Sequence, residues 1–241
     1  MGANGFELTG HSGEAVVMFH GFTGHPGHWG PMADFLSERG HTVIAPRLAG
    51  HGTSPADLAT TTADDWLASA RQATDAVADH RHVHLVGLSL GGLLGILLAA
   101  PTAASSLTTI NSPVFTRDYK VALAPVARYW VDSTPAAEAP PPDHRLAHLW
   151  TPYAIIPTGA VAELVRVVRW SYAAAGRLRR PSLVIQSRTD ETVRPGSGPI
   201  LARRLGGRLM WLEEARHNAI LDPARSLIHQ AVADHVEGIS G

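Results

Sequence analysis

The sequence predicts an α/β fold, with a mostly parallel sheet of about six or seven strands flanked by helices. Strand-like and helix-like segments alternate along most of the 241 residues, and a hydrophobic content of 45% is sufficient for one large core. Between residues 115 and 176 the alternation stops, and prolines and aromatic residues replace the strands. We therefore expect a core domain formed by residues 1–114 and 177–241, with a small, mainly helical lid inserted at 115–176.

Each expected element has a local signal in the sequence. Short apolar, β-rich runs predict strands at residues 14–20, 42–46, 82–86, 107–110, 182–187 and 208–212. Helices are expected at residues 28–40, 62–79, 93–100, 159–175 and 199–205, and from residue 222 onward. Thr62 to Asp65 reads as a capping box, and Asp222-Pro223 offers an N-cap acceptor followed by a first-turn proline. The glycine-rich stretch 47–55 has no period and predicts a loop.

Composition excludes several classes of protein. A net charge of −1 provides no field that would recruit nucleic acid, and the absence of cysteine removes disulfides and thiolate chemistry. The apolar runs are too short to cross a membrane, and residues 1–14 lack the charged and apolar regions of a signal peptide. We expect a cytoplasmic protein, monomeric or homodimeric.

The pentapeptide Gly87-Leu88-Ser89-Leu90-Gly91 is the most informative motif in the chain. It follows a predicted strand and precedes a predicted helix, which is the context of a nucleophile elbow. In such a turn the serine is held in a strained conformation, and glycines on both sides let the helix approach the strand. The motif predicts that Ser89 is a nucleophile.

A nucleophilic serine needs a base and an acid that orients the base, and in this architecture the chain order is serine, acid, histidine. Asp190 and His217 each follow a predicted strand in that order. Glu191 is a weaker rival because a neighbouring side chain in an extended turn points elsewhere. Asp222 could approach His217, but we interpret it as a helix cap.

An oxyanion formed at the substrate carbonyl needs two N–H donors. The residue after the nucleophile, Leu90, supplies one, and Phe22 in the loop His20-Gly-Phe-Thr-Gly24 is expected to supply the other. We interpret His20 as a brace for this loop.

Two other kinds of site are less consistent with the residues. Ser89 replaces the second glycine of a dinucleotide-binding motif, and no acid follows about 20 residues later. His80, His82 and His84 alternate along a strand, but the sequence places no carboxylate at a ligand spacing nearby, so we expect no metal.

With these motifs, the chain resembles bacterial carboxylesterases and monoacylglycerol lipases of the α/β-hydrolase fold. The matching stretches are 20–24 (HGFTG), 46–52 (PRLAGHG), 87–92 (GLSLGG), the turn at Asp190, and His217 with the following Leu221-Asp222. The resemblance implies cofactor-free ester hydrolysis by Ser89, Asp190 and His217. It also implies that the insertion is a lid that shapes an acyl pocket.

The expected pocket includes several residues outside the triad, namely Gly21, Trp29, Trp150, Tyr153, Ala154 and Val193. In the monoacylglycerol lipases that the chain resembles, an acidic residue near the start of the lid helix helps to hold the glycerol, and Ala154 stands at that place. We therefore favour a carboxylesterase for short- to medium-chain esters. A monoacylglycerol lipase and a thioesterase or acyl-transfer enzyme remain alternatives, as does a hydrolase-like binding protein without activity. The lid is expected to contact lipid transiently.

Overall fold

The computed structural model describes residues 2–136 and 143–240, so the proline cluster at 140–142 lies outside the described residues. Seven strands form one sheet: β1 (Phe6–Leu8), β2 (Glu14–Phe19), β3 (Thr42–Ala45), β4 (His82–Leu88), β5 (Ser106–Ile110), β8 (Ser182–Ser187) and β9 (Arg208–Leu212). Their order in the sheet is β1-β3-β2-β4-β5-β8-β9, and every neighbouring pair is parallel except the antiparallel edge pair β1 and β3. The expected mostly parallel sheet is confirmed.

Eight α-helices and four short 3-10 helices are present in the described residues. The α-helices are α1 (Gly30–Ser37), α2 (Pro55–Ala59), α3 (Ala63–Asp75), α4 (Leu90–Leu98), α5 (Ala124–Ala127), α6 (Thr158–Ala175), α7 (Ser197–Leu205) and α8 (Arg225–Ser240). The 3-10 helices are Pro26–Trp29, Tyr119–Leu123, His144–Leu149 and Ala219–Leu221. The predicted capping box is formed, because Thr62 accepts the N–H of Asp65 and Asp65 accepts the N–H of Thr62.

The two faces of the sheet bury two separate clusters, because successive side chains of a strand point to opposite faces. In β2, Val17 and Phe19 pack with Trp66 of α3 and with α4, α6 and α7. Val16 and Met18 of the same strand pack on the other face with α1 and α8. This sandwich of helices around the sheet holds the carboxyl ends of the parallel strands at one edge, where ligands bind in open α/β sheets.

Two features of the sheet region were missed by the sequence patterns. β1 has only three residues, too few to show a period, and it pairs only with β3. Residues 47–55 were expected to be a loop throughout, but Pro55 begins the short helix α2, with Ser54 accepting the N–H of Asp57 at the N-cap. A proline in the first turn and a serine cap were the available signals.

The sequence suggested that the segment 115–176 contains no strands, but the structure shows two. β6 (Ser133–Pro135) and β7 (Ile155–Pro157) form an antiparallel pair, which proline content and short length concealed. The long helix α6 follows directly and packs against α4. Polar contacts hold the segment to the core: His25 Nε2 donates to Leu149 O at 2.9 Å, and Arg225 Nη1 donates to Asp143 Oδ2 at 2.6 Å.

No helix in the part of the chain that the structure describes is long and apolar enough to cross a membrane.

Candidate active site

Ser89 lies in the sharp turn between β4 and α4, with φ 53° and ψ −115°. This backbone conformation is unfavourable for a residue with a side chain. Its neighbours allow it: a Cβ on Gly87 would collide with the backbone of Gly91, and a Cβ on Gly91 would collide with the carbonyl of Phe19. The amide of Ser89 donates to Ile110 O at 2.8 Å, which joins the turn to β5.

Three side chains form a continuous chain of hydrogen bonds. His217 Nε2 lies 3.1 Å from Ser89 Oγ, and His217 Nδ1 lies 2.9 Å and 3.2 Å from the two carboxylate oxygens of Asp190. Asp190 is fully buried, and its Oδ1 also accepts the N–H groups of Thr192 and Val193, each at 2.8 Å. With its Nδ1 proton donated to Asp190, the imidazole presents Nε2 as an acceptor for the serine proton.

The loop after β2 faces the same serine. Gly21 approaches the Ser89 side chain, and the loop closes with a hydrogen bond from Gly24 N–H to Gly21 O at 3.0 Å. Within residues 2–136 and 143–240, the backbone N–H groups of Phe22 and Leu90 have no hydrogen-bond acceptor. Unpaired amides on the two sides of a serine are what an oxyanion requires.

His20 braces this loop, as the sequence suggested. Its Nε2 accepts the N–H of Leu48 at 3.2 Å, so the proton is on Nδ1, which donates to Gly21 O at 2.9 Å. Complete burial, and next the nearby ring of His51, hold the pKa of His20 well below 6.5. A neutral imidazole can therefore serve both bonds.

The loop that carries His217 is held by groups whose roles the sequence did not reveal. Asp222 is not the helix cap that was expected: its carboxylate accepts the backbone N–H of Arg216. Burial raises its pKa. Glu191 does not point elsewhere, because its Oε2 accepts the backbone N–H of His217 at 2.9 Å. Asn111 Nδ2 donates to His217 O at 2.9 Å. The only sequence signal was the position of Asn111 at the end of a strand.

A pocket of about 320 Å³ opens over Ser89. Among the expected pocket residues, Gly21, Trp150, Tyr153 and Val193 line it, together with Phe22, Ile156, Leu164 and the polar residues Thr192, Arg216 and Asn218. The lining is thus mixed, with an apolar wall that includes Phe22, Ile156 and Leu164 and with polar residues from the loops that carry Asp190 and His217.

Two of the expected pocket residues do not line this pocket. Trp29 is fully buried in the core on the α1 and α8 face of the sheet, where it packs with Met32 and Leu36. Trp29 is the last residue of a 3-10 helix, Pro26–Trp29, all four residues of which are buried. Ala154 is exposed, and its carbonyl accepts the N–H of Ala136. The neighbouring Tyr153, which was also expected there, does line the pocket. Its hydroxyl donates to Gly50 O and accepts the N–H of Thr53.

A second imidazole, His28, also lines the pocket and is stacked against Trp150. Burial lowers its pKa to about 3, and the neighbouring His25 acts in the same direction. His28 is therefore neutral over the range in which most hydrolases work.

The alternating histidines of β4 have a carboxylate partner, contrary to expectation. Glu14, from the neighbouring strand β2, lies 3.1 Å from both His82 Nδ1 and His84 Nε2. The residues are distant in sequence, and strand pairing brings them together. Burial lowers the pKa of His84. Among the described residues, no group of three or more histidine, aspartate or glutamate side chains could hold a metal ion.

Comparison with known proteins agrees with the fold. The alpha/beta hydrolase family matches residues 16–227, so the chain belongs to this family and is a hydrolase. This confirms the expected fold family.

Two relatives match over most of their length. A thermostable monoacylglycerol lipase of Bacillus sp. (strain H-257) is 29% identical over 221 residues, which are 88% of this chain and 86% of the relative. A carboxylesterase of Bacillus subtilis (strain 168) is 25% identical over 229 residues, or 93% and 92% of the two chains.

Solved structures of lipolytic enzymes share the fold. A structure from work on LipS and LipT, two metagenome-derived lipolytic enzymes, has a TM-score of 0.90 at 28% identity, and the match covers 98% of this chain and 98% of that chain. A monoacylglycerol lipase of Paleococcus ferrophilus has a TM-score of 0.81 at 18% identity, covers 99% of this chain and 100% of its own, and supports the fold alone.

Proposed function

We propose that the protein is a serine carboxylesterase that cleaves short- to medium-chain carboxylic esters through an acyl-enzyme. The hydrogen-bond chain from Ser89 Oγ through His217 to buried Asp190, beneath a half-apolar pocket, carries this proposal. The names of the similar lipase and carboxylesterase support an ester as the substrate.

The geometry supports hydrolysis in two halves. His217 Nε2 takes the proton of Ser89 as the hydroxyl oxygen attacks the ester carbonyl, and the amides of Phe22 and Leu90 bind the oxyanion. The imidazolium then gives its proton to the leaving alcohol, which departs and leaves an acyl ester on Ser89. Water, deprotonated by the same nitrogen, attacks the acyl carbonyl; the imidazolium then returns this proton to Ser89 Oγ as the bond between Ser89 and the acyl group breaks and the acid is released. Asp190 holds the Nδ1 proton throughout and stabilises the imidazolium.

The pocket lining favours a modest acyl chain. Phe22, Ile156 and Leu164 give it an apolar wall, while a volume of about 320 Å³ is at the small end of ligand pockets. A monoacylglycerol lipase is the second candidate, because Thr192, Arg216 and Asn218 line the pocket near the base and could bind alcohol hydroxyls. Acyl thioesters are the third.

The experiment is a panel of p-nitrophenyl esters of increasing chain length, with a monoacylglycerol and an acyl-CoA, assayed with the wild type and Ser89→Ala. We expect the highest kcat/KM on short to medium esters. Loss of the nucleophile is expected to lower kcat by about 10⁴ to 10⁶ and to abolish fluorophosphonate labelling. Ser37→Ala, in α1, is the matched control. Comparable turnover by Ser89→Ala would refute the mechanism, and a preference for the glyceride or thioester would reassign the substrate.

We also propose that the segment 115–176 is a lid that contacts lipid. Of the ten large apolar side chains that are exposed among the described residues, nine belong to this segment. Tyr172 of α6 lies under the guanidinium of Arg204. The other eight form what we call the patch: Phe115, Tyr119, Leu123, Val126, Tyr129, Trp130, Val131 and Ile155. The patch adjoins the pocket, since Thr116 and Ile156 line it. Tyrosine and tryptophan favour the boundary between water and lipid, and Lys120 lies within the patch. A lipid surface that carries the ester is the occupant that fits these residues.

A further inference from the structure

We propose that Asn111 and Glu191 are positioning residues that clamp the backbone of His217, and so set the distance from its imidazole to Ser89. The inference rests on the proposed function, because it assigns His217 the role of base. Neither residue belongs to the hydrogen-bond chain from Ser89 through His217 to Asp190; each binds the backbone of His217 instead.

The clamp has two sides. The N–H of His217 donates to Glu191 Oε2 at 2.9 Å, and the C=O of His217 accepts from Asn111 Nδ2, also at 2.9 Å. Both bonds are to backbone atoms of the base. Together they restrict translation and rotation of the loop that carries the imidazole, which has no strand or α-helix of its own.

Asn111 also binds the strand that leads to the acid. Its Oδ1 accepts the N–H of Ser187 at 2.8 Å and Gln186 Nε2 at 3.2 Å, while Nδ2 has a second acceptor in Arg216 O at 3.3 Å. Two donors on one side and two acceptors on the other leave one chemically consistent orientation for the amide. The fully buried side chain is thus a bridge between the end of β8 and the base loop.

The nucleophile is joined to the same place. Ser89 N–H donates to Ile110 O at 2.8 Å, and Ser112 Oγ donates to Ser89 O at 3.0 Å. Residues 110–112 therefore contact the backbone of the serine turn, the acid strand and the base loop. The φ of Asn111 is 47°, a region that asparagine, aspartate and glycine tolerate best.

This geometry predicts an effect on turnover rather than on substrate binding, because a misplacement of about 1 Å can cost about 100-fold in rate. We expect Asn111→Gly and Asn111→Asp to lower kcat about 10- to 100-fold with KM changed less than about threefold. Both replacements suit the positive φ. The aspartate presents only acceptors to two carbonyls, so its deficit should shrink at lower pH, where a protonated carboxyl can donate.

Thr109→Val is the matched control for Asn111. Thr109 lies on β5, two residues before Asn111, is fully buried, and its hydroxyl has no partner among the described residues. We expect its kcat to stay within about twofold of the wild type.

Glu191 keeps the proposal testable if the buried variants fold poorly, since its side chain is partly exposed. Glu191→Ala frees the N–H of His217 and should lower kcat, while Glu191→Gln retains an acceptor oxygen and should lose less. Glu214→Gln, a change of an exposed acid in the loop that carries His217, controls for the loss of charge. Wild-type kcat in both Asn111→Gly and Glu191→Ala, with Ser89→Ala inactive, would overturn the clamp and leave the esterase proposal standing. Activity in Ser89→Ala would instead remove the proposed function.

Discussion

At the scale of single residues, the serine turn combines an unfavourable backbone conformation with close packing of its neighbours. Ser89 adopts φ 53° and ψ −115°, and such a conformation costs on the order of 1–3 kcal/mol. The surrounding contacts maintain it, because β4 and α4 approach each other through glycines and the turn is hydrogen-bonded to β5. The strain is stored where the hydroxyl must project toward the pocket.

Gly91→Ala is expected to destabilise the protein by about 3 kcal/mol, or to prevent folding, because the added Cβ would collide with the carbonyl of Phe19. Gly159→Ala in α6 is the matched control: nothing lies within 4 Å of its Cβ position. This change should stabilise the helix by about 0.5–1 kcal/mol. Urea unfolding of the two variants measures both effects. Equal stability of the pair would show that the close approach at Gly91 is not required.

At the scale of elements, the segment 115–176 combines a firm attachment to the core with an apolar outer surface. Glu163 Oε2 accepts the N–H of Ala63 at 3.1 Å, which joins α6 to the start of α3. Tyr153 contacts the loop before α2. Six of the eight residues of the patch lie in the 3-10 helix Tyr119–Leu123, in α5 and in residues 128–131 that follow it. An apolar surface of this kind usually marks an interaction site.

Removing apolar area from this patch is expected to weaken lipid contact without harming the catalytic site. Leu123→Ser with Trp130→Ser should reduce binding to phospholipid vesicles about 10-fold, measured by co-sedimentation, with kcat on a soluble ester unchanged. Leu227→Ser with Tyr172→Ser, exposed apolar residues outside the patch, is the matched control. Equal loss in both pairs would contradict a specific surface. A second copy of the chain, rather than lipid, would cover the patch if the wild type does not bind vesicles and forms a dimer that the patch variant cannot form.

At the scale of the whole molecule, buried histidines couple stability to pH. Burial lowers the pKa of His51 and His229 to about 4 and that of His28 to about 3. These groups stay neutral in the folded state, whereas in the unfolded chain they bind protons below about pH 6.5. The unfolded state therefore binds more protons between about pH 6.5 and 4. Their contribution to stability is complete above that range and is lost as the pH falls through it.

His229→Leu is expected to flatten this dependence. His229 packs against Phe35, and its Nε2 has no partner in the part of the chain that the structure describes. Relative to the wild type, the variant should retain about 2 kcal/mol more of its pH 8 unfolding free energy when measured at pH 5. Urea unfolding at the two pH values gives the comparison. Exposed His148→Gln is the control, and an unchanged slope in His229→Leu would contradict the assignment.

Local sequence was sufficient for the elements with strong patterns. The strands at 182–187 and 208–212 agree with the structure residue for residue, and α6 begins one residue earlier than expected. β1, β6 and β7 have three residues each. Such strands exist because of their pairing partners and carry too little pattern to be recognised alone.

Local periodicity, the positions of glycines and the order of the chain were enough to predict the alternation of strands and helices, the serine turn, and the succession of Ser89, Asp190 and His217. Tertiary packing was needed to show that Trp29 is a core residue, that Glu14 faces two histidines, and that Asn111 and Glu191 hold the backbone of His217. Trp29 belongs to a cluster that includes α8 from the other end of the chain, and Glu14 meets its histidines through strand pairing. The bonds to His217 are made to backbone atoms, which are the same in every residue, so none of these contacts has a local sequence pattern.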